Sequence, residues 1–584
     1  MLRAFPLGAA MTSATGNTAA TTACGAHGSS ESERAHETSD RVPRSTPVAR
    51  LSRRARICLI ALLAMSAVLD VGVALRASVT TDEPHHINYG GHVLQLKPDR
   101  TFPELCDSQM PITALNAAPL LIGPYLDAHG VLHPVSTAFK TLLASRMPTI
   151  LATLALGLFV FFWANDLYGE GPALAACLLC ALSPNLTAHG TLATTDMYHA
   201  LGVVGALFFF HRYLMQPTLG NAFISGLALA LAQITKSFAL VLYVVVFLTL
   251  ALAIRRRVAF PSLTPKRVLL FAAIAAVWLL VVINVAFCFD RTFSPLISYS
   301  TSVKTQRQLE RLPWVAQLPI PFPYPFLEGI HMMKVDEENG ATFGKVFLLG
   351  KLGDPMDPAF HGFKSYYAVA YFYKEPIALQ ILFLIGLVWI CRHRRFDDLI
   401  AGEAPLLIAA AILVLWLSFF SKSQIGIRHI LPALAIETII AGAAFSHFSS
   451  KPRLQKTLLV VLVLWMAASV ARYYPQMIPY MNEWAGDRRF TYKLLGDSNL
   501  DWGQDTAVVN EFQRRNPDVI VDPRQAVSGR VLVAADRLTG VDDHFDPSAI
   551  PMAKVLAGYQ PVAQVGYAHF LFVVPAEHAD RPSF

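Results

Sequence analysis

The chain has 584 residues, of which 54% are hydrophobic and only 15% are charged. A soluble domain carries about 25% charged residues, so this composition excludes an ordinary soluble protein and indicates a membrane protein. The formal net charge of +7 comes largely from short basic clusters beside apolar stretches. We interpret those clusters as a signal of membrane orientation, not of binding to nucleic acid.

The chain begins with a polar segment and continues as a series of apolar stretches. Residues 1–50 are rich in Ser, Thr, Ala and Arg, which predicts a disordered cytoplasmic tail. A spanning helix needs roughly 20 mostly apolar residues. About eleven stretches are candidates: 57–77, 142–164, 171–186, 197–215, 221–235, 237–254, 267–289, 376–391, 404–420, 429–446 and 457–473.

Basic residues between these stretches predict how the chain crosses the membrane. They cluster before the first stretch and after the sixth, eighth and tenth: Arg53, Arg54, Arg56, Arg255, Arg256, Arg257, Lys266, Arg267, Arg392, Arg394, Arg395, Lys451, Arg453 and Lys456. With an odd number of spans, all four clusters lie on the cytoplasmic side. Asp82 and the C-terminal segment then lie outside.

The predicted fold class is a mainly α, polytopic membrane protein, with a membrane domain over residues 51–473. Two large outer loops interrupt it, at 78–140 and 290–375. The first contains the short apolar run 119–126, which suits a helix at the interface, and the length of the second suggests a lid. Residues 474–584 predict a small outer α/β domain, with strands near 530–534 and 570–574 and a helix near 505–515.

Two adjacent carboxylates follow the first apolar stretch. Asp82 and Glu83 stand where a spanning helix leaves the bilayer, so a carboxylate there can reach both a lipid head group and water. Three interpretations of this pair are open. The two acids are a general base with its orienting partner, a metal-binding pair, or the start of an ordinary acidic loop. The neighbouring His85, His86 and His92 favour a divalent metal but have no recognised ligand spacing, so the need for a metal stays open.

Asp196 follows a short outer hairpin that begins at Ser183. Capping of the next helix explains Asp196 when it is taken alone. The hairpin also brings Asp196 to the same membrane face as Asp82, which favours a shared site.

Several cations bracket the outer face, where basic residues are disfavoured. Each alone is explained by a side chain reaching lipid phosphates. Together with the acids they suit an anionic ligand, and they are Arg146, Lys236, Lys374, Arg428 and the adjacent His429.

A polar run after the last apolar stretch surrounds one tryptophan. Its composition is typical of a sugar-facing loop, and the alternative is a turn followed by a helix cap. The candidates for substrate contact are Asn499, Asp501, Trp502 and Gln504. Elsewhere, the sequence leaves open whether Cys106 and Cys288 form a disulfide.

Five segments, taken together and in this order, resemble bacterial glycosyltransferases that use a sugar carried on a polyprenyl phosphate. They are the acidic pair, the SPxxxxHGxxxTTD run at 183–196, Lys374-Glu-Pro, GIRHILP at 426–432 and DSNLDWGQ at 497–504. Such enzymes have the GT-C fold and are similar to protein O-mannosyltransferases (glycosyltransferase family 39) and to the aminoarabinose transferase of lipid A. The resemblance extends over about residues 55–510.

The resemblance implies inverting transfer of one sugar to a lipid, glycan or protein acceptor at the periplasmic face of the bacterial inner membrane. It implies that Asp82 is the catalytic base, with Glu83 and Asp196 orienting Asp82 or the acceptor. The residues expected to bind the donor phosphate are Arg428, Lys374, His429 and Arg146. The family's His-Pro-Pro-Leu is replaced here by Gln109-Met-Pro-Ile112.

The alternative class is a polytopic transporter or flippase for a lipid-linked or anionic substrate. Transporters usually carry inverted repeats and charges near the midplane. This chain shows no evident repeat, and its charges cluster at one face. A non-catalytic scaffold does not need the acids and cations together, and an oligosaccharyltransferase usually carries a WWDYG run that this sequence lacks.

Overall fold

Helices account for most of the structure, a computed structural model. The described residues are 51–576, except for 101–107, 131–132, 257–259, 300–307, 309–310, 340–343, 545–547 and 549. The predicted tail 1–50 and Cys106 lie outside the described residues. Cys288 forms no disulfide with any described residue.

The first half of the chain supplies eleven described α-helices. They are α1 (Arg53–Arg76), α2 (Glu83–Leu94), α3 (Ala114–Ala128), α4 (His133–Ala138), α5 (Leu142–Tyr168), α6 (Glu170–Leu182), α7 (Pro184–Gly190), α8 (Asp196–Met215), α9 (Leu219–Gln233), α10 (Val241–Arg255) and α11 (Pro265–Ala286).

The second half alternates helices with short strands. Its described helices are α12 (Pro313–Ala316), α13 (Tyr324–Asn339), α14 (Tyr366–Lys374), α15 (Ile377–His393), α16 (Phe396–Ala401), α17 (Ala404–Phe419), α18 (Leu431–Gly442), α19 (Arg453–Ala471), α20 (Thr506–Arg515), α21 (Ala535–Thr539) and α22 (Ile550–Leu556). Its strands are β1 (Val346–Leu348), β2 (Lys351–Gly353), β3 (Val519–Val521), β4 (Gly529–Ala534), β5 (Ala563–Val565) and β6 (His569–Val574).

Each of the eleven predicted apolar stretches is helical, which confirms the predicted class of a mainly α, polytopic membrane protein. Among the described residues, six helical segments are long and apolar enough to cross a membrane, or up to eight if two bent pairs each count as one span. The pairs are α6–α7, bent by 62°, and α14–α15, bent by 111°. That the chain crosses the membrane eleven times stays a prediction.

Short polar side chains start many of the apolar helices. Serine or threonine oxygens accept the otherwise unpaired backbone N–H groups of the first turn. The capping residues are Ser52, Thr141, Ser183, Thr218 and Thr264. Between α5 and α6 the chain turns at Gly169, whose φ of 87° lies in the left-handed region that favours glycine.

Helix α18 lies at the centre of the helical bundle. All of its residues except Ala433 are buried, and it packs against α5, α6, α8, α15 and α17. A helix that is apolar on almost every face is stable in lipid or among other helices, and here other helices surround it. All four residues of the turn that leads into α18, Ile427–Ile430, are buried as well.

The C-terminal segment contains a four-stranded sheet with the order β3-β4-β6-β5. Strand β4 pairs antiparallel with β6, from Gly529 opposite Val574 to Ala534 opposite His569. The strands expected near 530–534 and 570–574 are thus direct neighbours, and the helix expected near 505–515 is α20. The domain boundary after residue 473 stays a prediction.

The two predicted outer loops, 78–140 and 290–375, contain short elements among their described residues. The apolar run 119–126 lies within α3, which contains two prolines, and β1 and β2 form a hairpin in the second loop. Arg100 of the first loop donates from Nε to the carbonyl of Pro325 in the second, at 3.0 Å. The interfacial position of α3 and the lid function of the second loop stay predictions.

Candidate functional site

Four charged side chains from distant parts of the chain meet beyond the C-terminal end of α1. Arg428 Nη1 lies 2.6 Å from Asp82 Oδ2 and 3.8 Å from Asp196 Oδ2. Lys236 Nζ lies 2.6 Å from Asp196 Oδ1. Two carboxylates and two cations therefore form one alternating network, which we call the charge cluster.

The four members of the charge cluster differ in their access to water. The Asp82 side chain is 30% exposed, whereas those of Arg428, Lys236 and Asp196 are 8%, 5% and 2% exposed. Asp196 is the first residue of α8, yet neither it nor Thr195 forms a side-chain cap there. Its carboxylate instead accepts from Lys236 and, at 3.4 Å, from Thr194 Oγ1.

Asp82 carries a negative charge at neutral pH. Burial disfavours its ionised form, but the guanidinium of Arg428 and the ring of His86 more than offset that effect, so the pKa of Asp82 lies below the ordinary 3.8. His86, one turn further along α2, is buried, and its pKa falls to about 4 mainly because burial disfavours the charged ring. No described residue forms a hydrogen bond with its Nδ1.

Glu83 and Arg146 form a separate, fully buried ion pair. Glu83 accepts from Arg146 Nε at 2.7 Å and from Arg146 Nη2 at 2.6 Å. The remaining N–H groups of Arg146 donate, at 2.8 Å each, to the carbonyls of Ala74, Ala77 and Ser78. Glu83 also accepts from the backbone N–H groups of Thr80 and Ala193.

This geometry differs from the expectation that Arg146 binds the donor phosphate. All five of its N–H groups already donate to the protein, and its side chain is 0% exposed. Its partner Glu83 is enclosed in the same way. The pair fastens the end of α1 and the start of α2 to α5, and thereby positions the loop that carries Asp82.

The contacts of Lys374 also differ from the expected contact with the donor phosphate. Its Nζ donates to the carbonyls of Ile478, at 2.5 Å, and Asn499, at 2.7 Å, and the residue is buried. Asn499 in turn accepts from the N–H of Ile427 at 3.0 Å. Lys374 therefore holds the C-terminal segment beside the turn that carries Arg428.

The polar run around Trp502 lies against the charge cluster. The Arg428 guanidinium carbon is 4.2 Å from the centre of the Trp502 ring, a cation–π contact. Backbone bonds join this run to the segment before Asp82: Ser78 donates to Gln504 at 2.9 Å, and Thr81 to Trp502 at 3.0 Å. Trp502 thus supports Arg428 on one face of its ring.

The other candidates for substrate contact are engaged within the protein. Gln504 accepts from the N–H of Trp502 and donates to the carbonyl of Leu500. Asp501 accepts from Gly503, and burial raises its pKa. In the structure these residues, like Asn499, shape the loop. His429, beside Arg428, lies 3.3 Å from the Tyr367 hydroxyl.

The sequence predicts neither the carboxylate partner of Lys236 nor the position of His86 beside Asp82. Lys236 was visible only as one of several outer cations, because nothing in its neighbourhood indicates a carboxylate partner 40 positions away. Among the described residues, no group of three or more His, Cys, Asp or Glu is arranged to hold a metal ion. His85 and His92 are not part of the charge cluster.

The helices define a polytopic membrane protein, and one segment of it matches a glycosyltransferase family model. Residues 136–283 match the family model described as dolichyl-phosphate-mannose-protein mannosyltransferase. This segment contains Arg146, Asp196 and Lys236. The match confirms the predicted resemblance to glycosyltransferases with lipid-linked donors.

Similar solved structures are an oligosaccharyltransferase, AglB, from Archaeoglobus fulgidus and ArnT from Cupriavidus metallidurans. The first is 12% identical with a TM-score of 0.44, and the match covers 76% of this chain and 59% of AglB. ArnT in the apo state is 13% identical with a TM-score of 0.27, and the match covers 90% of this chain and 100% of ArnT. No protein of curated function matches the sequence.

Proposed function

We propose that this chain is an inverting glycosyltransferase. It transfers one sugar from a polyprenyl-phosphate donor to a lipid, glycan or protein acceptor at the periplasmic face of the bacterial inner membrane. The observation that carries the proposal is the charge cluster, which combines a water-accessible carboxylate, Asp82, with buried cations. The family match over residues 136–283 supports the same enzyme class.

The proposed reaction is a single displacement at C1 of the donor sugar. The acceptor's oxygen or nitrogen attacks C1 from the face opposite the phosphate. The bond between C1 and the phosphate oxygen breaks, and its electron pair leaves with the polyprenyl phosphate. Asp82 takes the acceptor's proton. One displacement inverts the configuration at C1, as in inverting glycosidases, which form no covalent intermediate.

The leaving phosphate gains negative charge as the bond breaks, so a fixed cation stabilises the transition state. Arg428 is our candidate, because a guanidinium can hold two phosphate oxygens at once and its position is set by Asp196 and Trp502. His429 lies beside it. We assign Glu83, Arg146 and Lys374 to the support of the site, since their charged groups are enclosed by protein partners.

Asp82→Asn tests the base. We expect transfer of a radiolabelled sugar from polyprenyl-phosphate-hexose, measured with purified protein in proteoliposomes, to fall by about 10²–10⁴-fold, the range for a lost general base. The amide keeps the size of the side chain but cannot accept the proton. The anomeric configuration of the product, read by NMR, should be opposite to that of the donor.

Asp518→Asn is the matched control, because this carboxylate is 59% exposed and lies in the turn just before β3, far along the chain from Asp82. It should keep wild-type transfer. Transfer by Asp82→Asn within a few-fold of wild type, at equal protein level, contradicts the base assignment. No transfer by wild type across several donors, combined with movement of the lipid between leaflets, supports the flippase alternative.

A further inference from the structure

Arg428 holds two carboxylates unequally. It lies 2.6 Å from Asp82 but 3.8 Å from Asp196, although Asp82 is far more exposed to water than Asp196. A carboxylate that leaves its cation loses less when water can solvate it, whereas a buried carboxylate without a partner is strongly destabilised. Asp82 is therefore the partner that an incoming anion can displace from Arg428.

Lys236 explains why Asp196 does not take over Arg428. Its Nζ lies 2.6 Å from Asp196 Oδ1, and both side chains are almost fully buried. Lys236 immediately precedes the 3-10 turn Ser237–Leu240, and its Nζ is 5.9 Å from the centre of the Phe238 ring. This placement directs one oxygen of Asp196 to Lys236 and leaves only the other near Arg428.

We infer that Lys236 is a positioning residue: by holding Asp196, it makes Asp82 the carboxylate that the donor's phosphate displaces from Arg428. This inference rests on the proposed function. The phosphate then takes the guanidinium that Asp82 occupied, and Asp82 becomes free to act on the acceptor. The base is thus released only when the donor is bound, which couples the two substrates of the reaction.

The exchange changes the basicity of Asp82 in a defined direction. The charged groups that face Asp82 are Arg428, His86, Asp196 and Asp497. With Arg428 as partner, the pKa of Asp82 lies below 3.8. Once Arg428 is bound to phosphate, burial and the charge of Asp196 dominate, and both raise the pKa. Asp82 then protonates at a higher pH than in the free protein and is a stronger base.

The test is chemical modification of Asp82 by a hydrophobic carbodiimide, which reacts with protonated carboxyl groups. The full chain in nanodiscs is modified over a range of pH, and the peptide that contains Asp82 is quantified by mass spectrometry. The probe is polyprenyl phosphate without a sugar, and the matched control is the corresponding polyprenol. We expect polyprenyl phosphate, but not polyprenol, to raise the pH of half-modification by about 1.

Two substitutions separate the role of Lys236 from a merely structural one. In Lys236→Gln, Asp196 turns to Arg428, so half-modification of Asp82 should already occur at higher pH without the probe and should respond to it less. Lys236→Arg retains the charge and should restore the wild-type response. Identical pH profiles for Lys236→Gln and wild type overturn the inference.

The outcomes distinguish this inference from the proposed function, because binding of radiolabelled polyprenyl phosphate is measured in the same nanodiscs. Binding without any change in the modification of Asp82 overturns the exchange and leaves the proposed donor intact. Absence of binding contradicts the proposed donor itself. If Lys236→Gln does not fold, the comparison of polyprenyl phosphate with polyprenol in the wild type decides whether a phosphate displaces Asp82 from Arg428.

Discussion

Asp82 and Glu83 are adjacent in the chain, but their carboxylates lie in different surroundings. Glu83 is the first residue of α2 and is enclosed with Arg146, whereas Asp82 reaches Arg428 and water. A buried carboxylate that accepts four N–H groups is fixed in place, while an exposed one with a single strong partner can exchange it. The two acids therefore suit different tasks, one structural and one chemical.

Glu83→Gln should destabilise the protein. The substitution leaves the Arg146 guanidinium buried without its counter-charge, which costs about 3–5 kcal/mol in known buried pairs. We expect a clearly lower temperature of thermal unfolding in detergent and a smaller monodisperse peak on size exclusion.

Glu511→Gln is the control for this prediction. It removes the partner of Arg514 and Arg515 on the exposed face of α20. Exposed pairs contribute about 0–1 kcal/mol, so this variant should unfold close to the wild-type temperature. Equal unfolding temperatures for the two variants would argue against a structural role for Glu83.

At the scale of elements, the bend between α14 and α15 joins the membrane helices to the C-terminal segment. The two helices meet at 111°, and Lys374 stands at the end of α14. Besides the bonds of Lys374, Asn482 donates from Nδ2 to the carbonyls of Phe372 and Glu375. The bend exposes these carbonyls, which a continuous helix would have used internally.

Lys374→Met should loosen the C-terminal segment next to the site. The variant loses two charge-assisted hydrogen bonds to carbonyls, each contributing about 1.5–3 kcal/mol. We expect faster hydrogen exchange of backbone amides over residues 478–504, measured by mass spectrometry on protein in nanodiscs.

Lys364→Met serves as the control, since Lys364 is an exposed lysine just before α14. Its exchange rates should equal those of the wild type. If Lys374→Met reduced the binding of polyprenyl phosphate but left exchange over 478–504 unchanged, Lys374 would be a ligand of the phosphate after all.

At the scale of the whole molecule, the basic clusters predict which face meets the cytoplasm. The charge cluster lies beyond the end of α1 opposite to Arg53, and β3–β6 follow the last long apolar helix. Because basic loops remain in the cytoplasm, the charge cluster and the C-terminal sheet are expected on the other side.

Cysteine labelling in intact cells tests this orientation. Gln513→Cys on α20 and Arg453→Cys at the start of α19 both place the thiol at an exposed position. In a background without native cysteines, a membrane-impermeant maleimide should label the first variant in intact cells and the second only after lysis. Labelling in the reverse order would contradict the predicted orientation and would place the charge cluster on the cytoplasmic side.

The helices and the main strands were predictable from the sequence, whereas the membrane face of the charge cluster stays a prediction. Apolar stretches of the required length form helices wherever they occur, because a backbone in lipid must satisfy its hydrogen bonds internally. Short apolar runs rich in valine and phenylalanine, such as 530–534 and 570–574, are equally local signals. The sequence also marked Asp82, Asp196 and Arg428, since charged groups beside spanning helices are rare and stand out.

Tertiary structure alone decided the partners of these charged groups. Arg146, Lys236, Lys374 and Arg428 look alike in the sequence, as cations near the outer end of an apolar stretch. Packing encloses Arg146 and Lys374 among carbonyls and Glu83, and leaves Lys236 and Arg428 to share Asp196. Which groups meet depends on contacts between residues 40 to 346 positions apart. Such contacts arise only when the helices pack, so no local pattern records them.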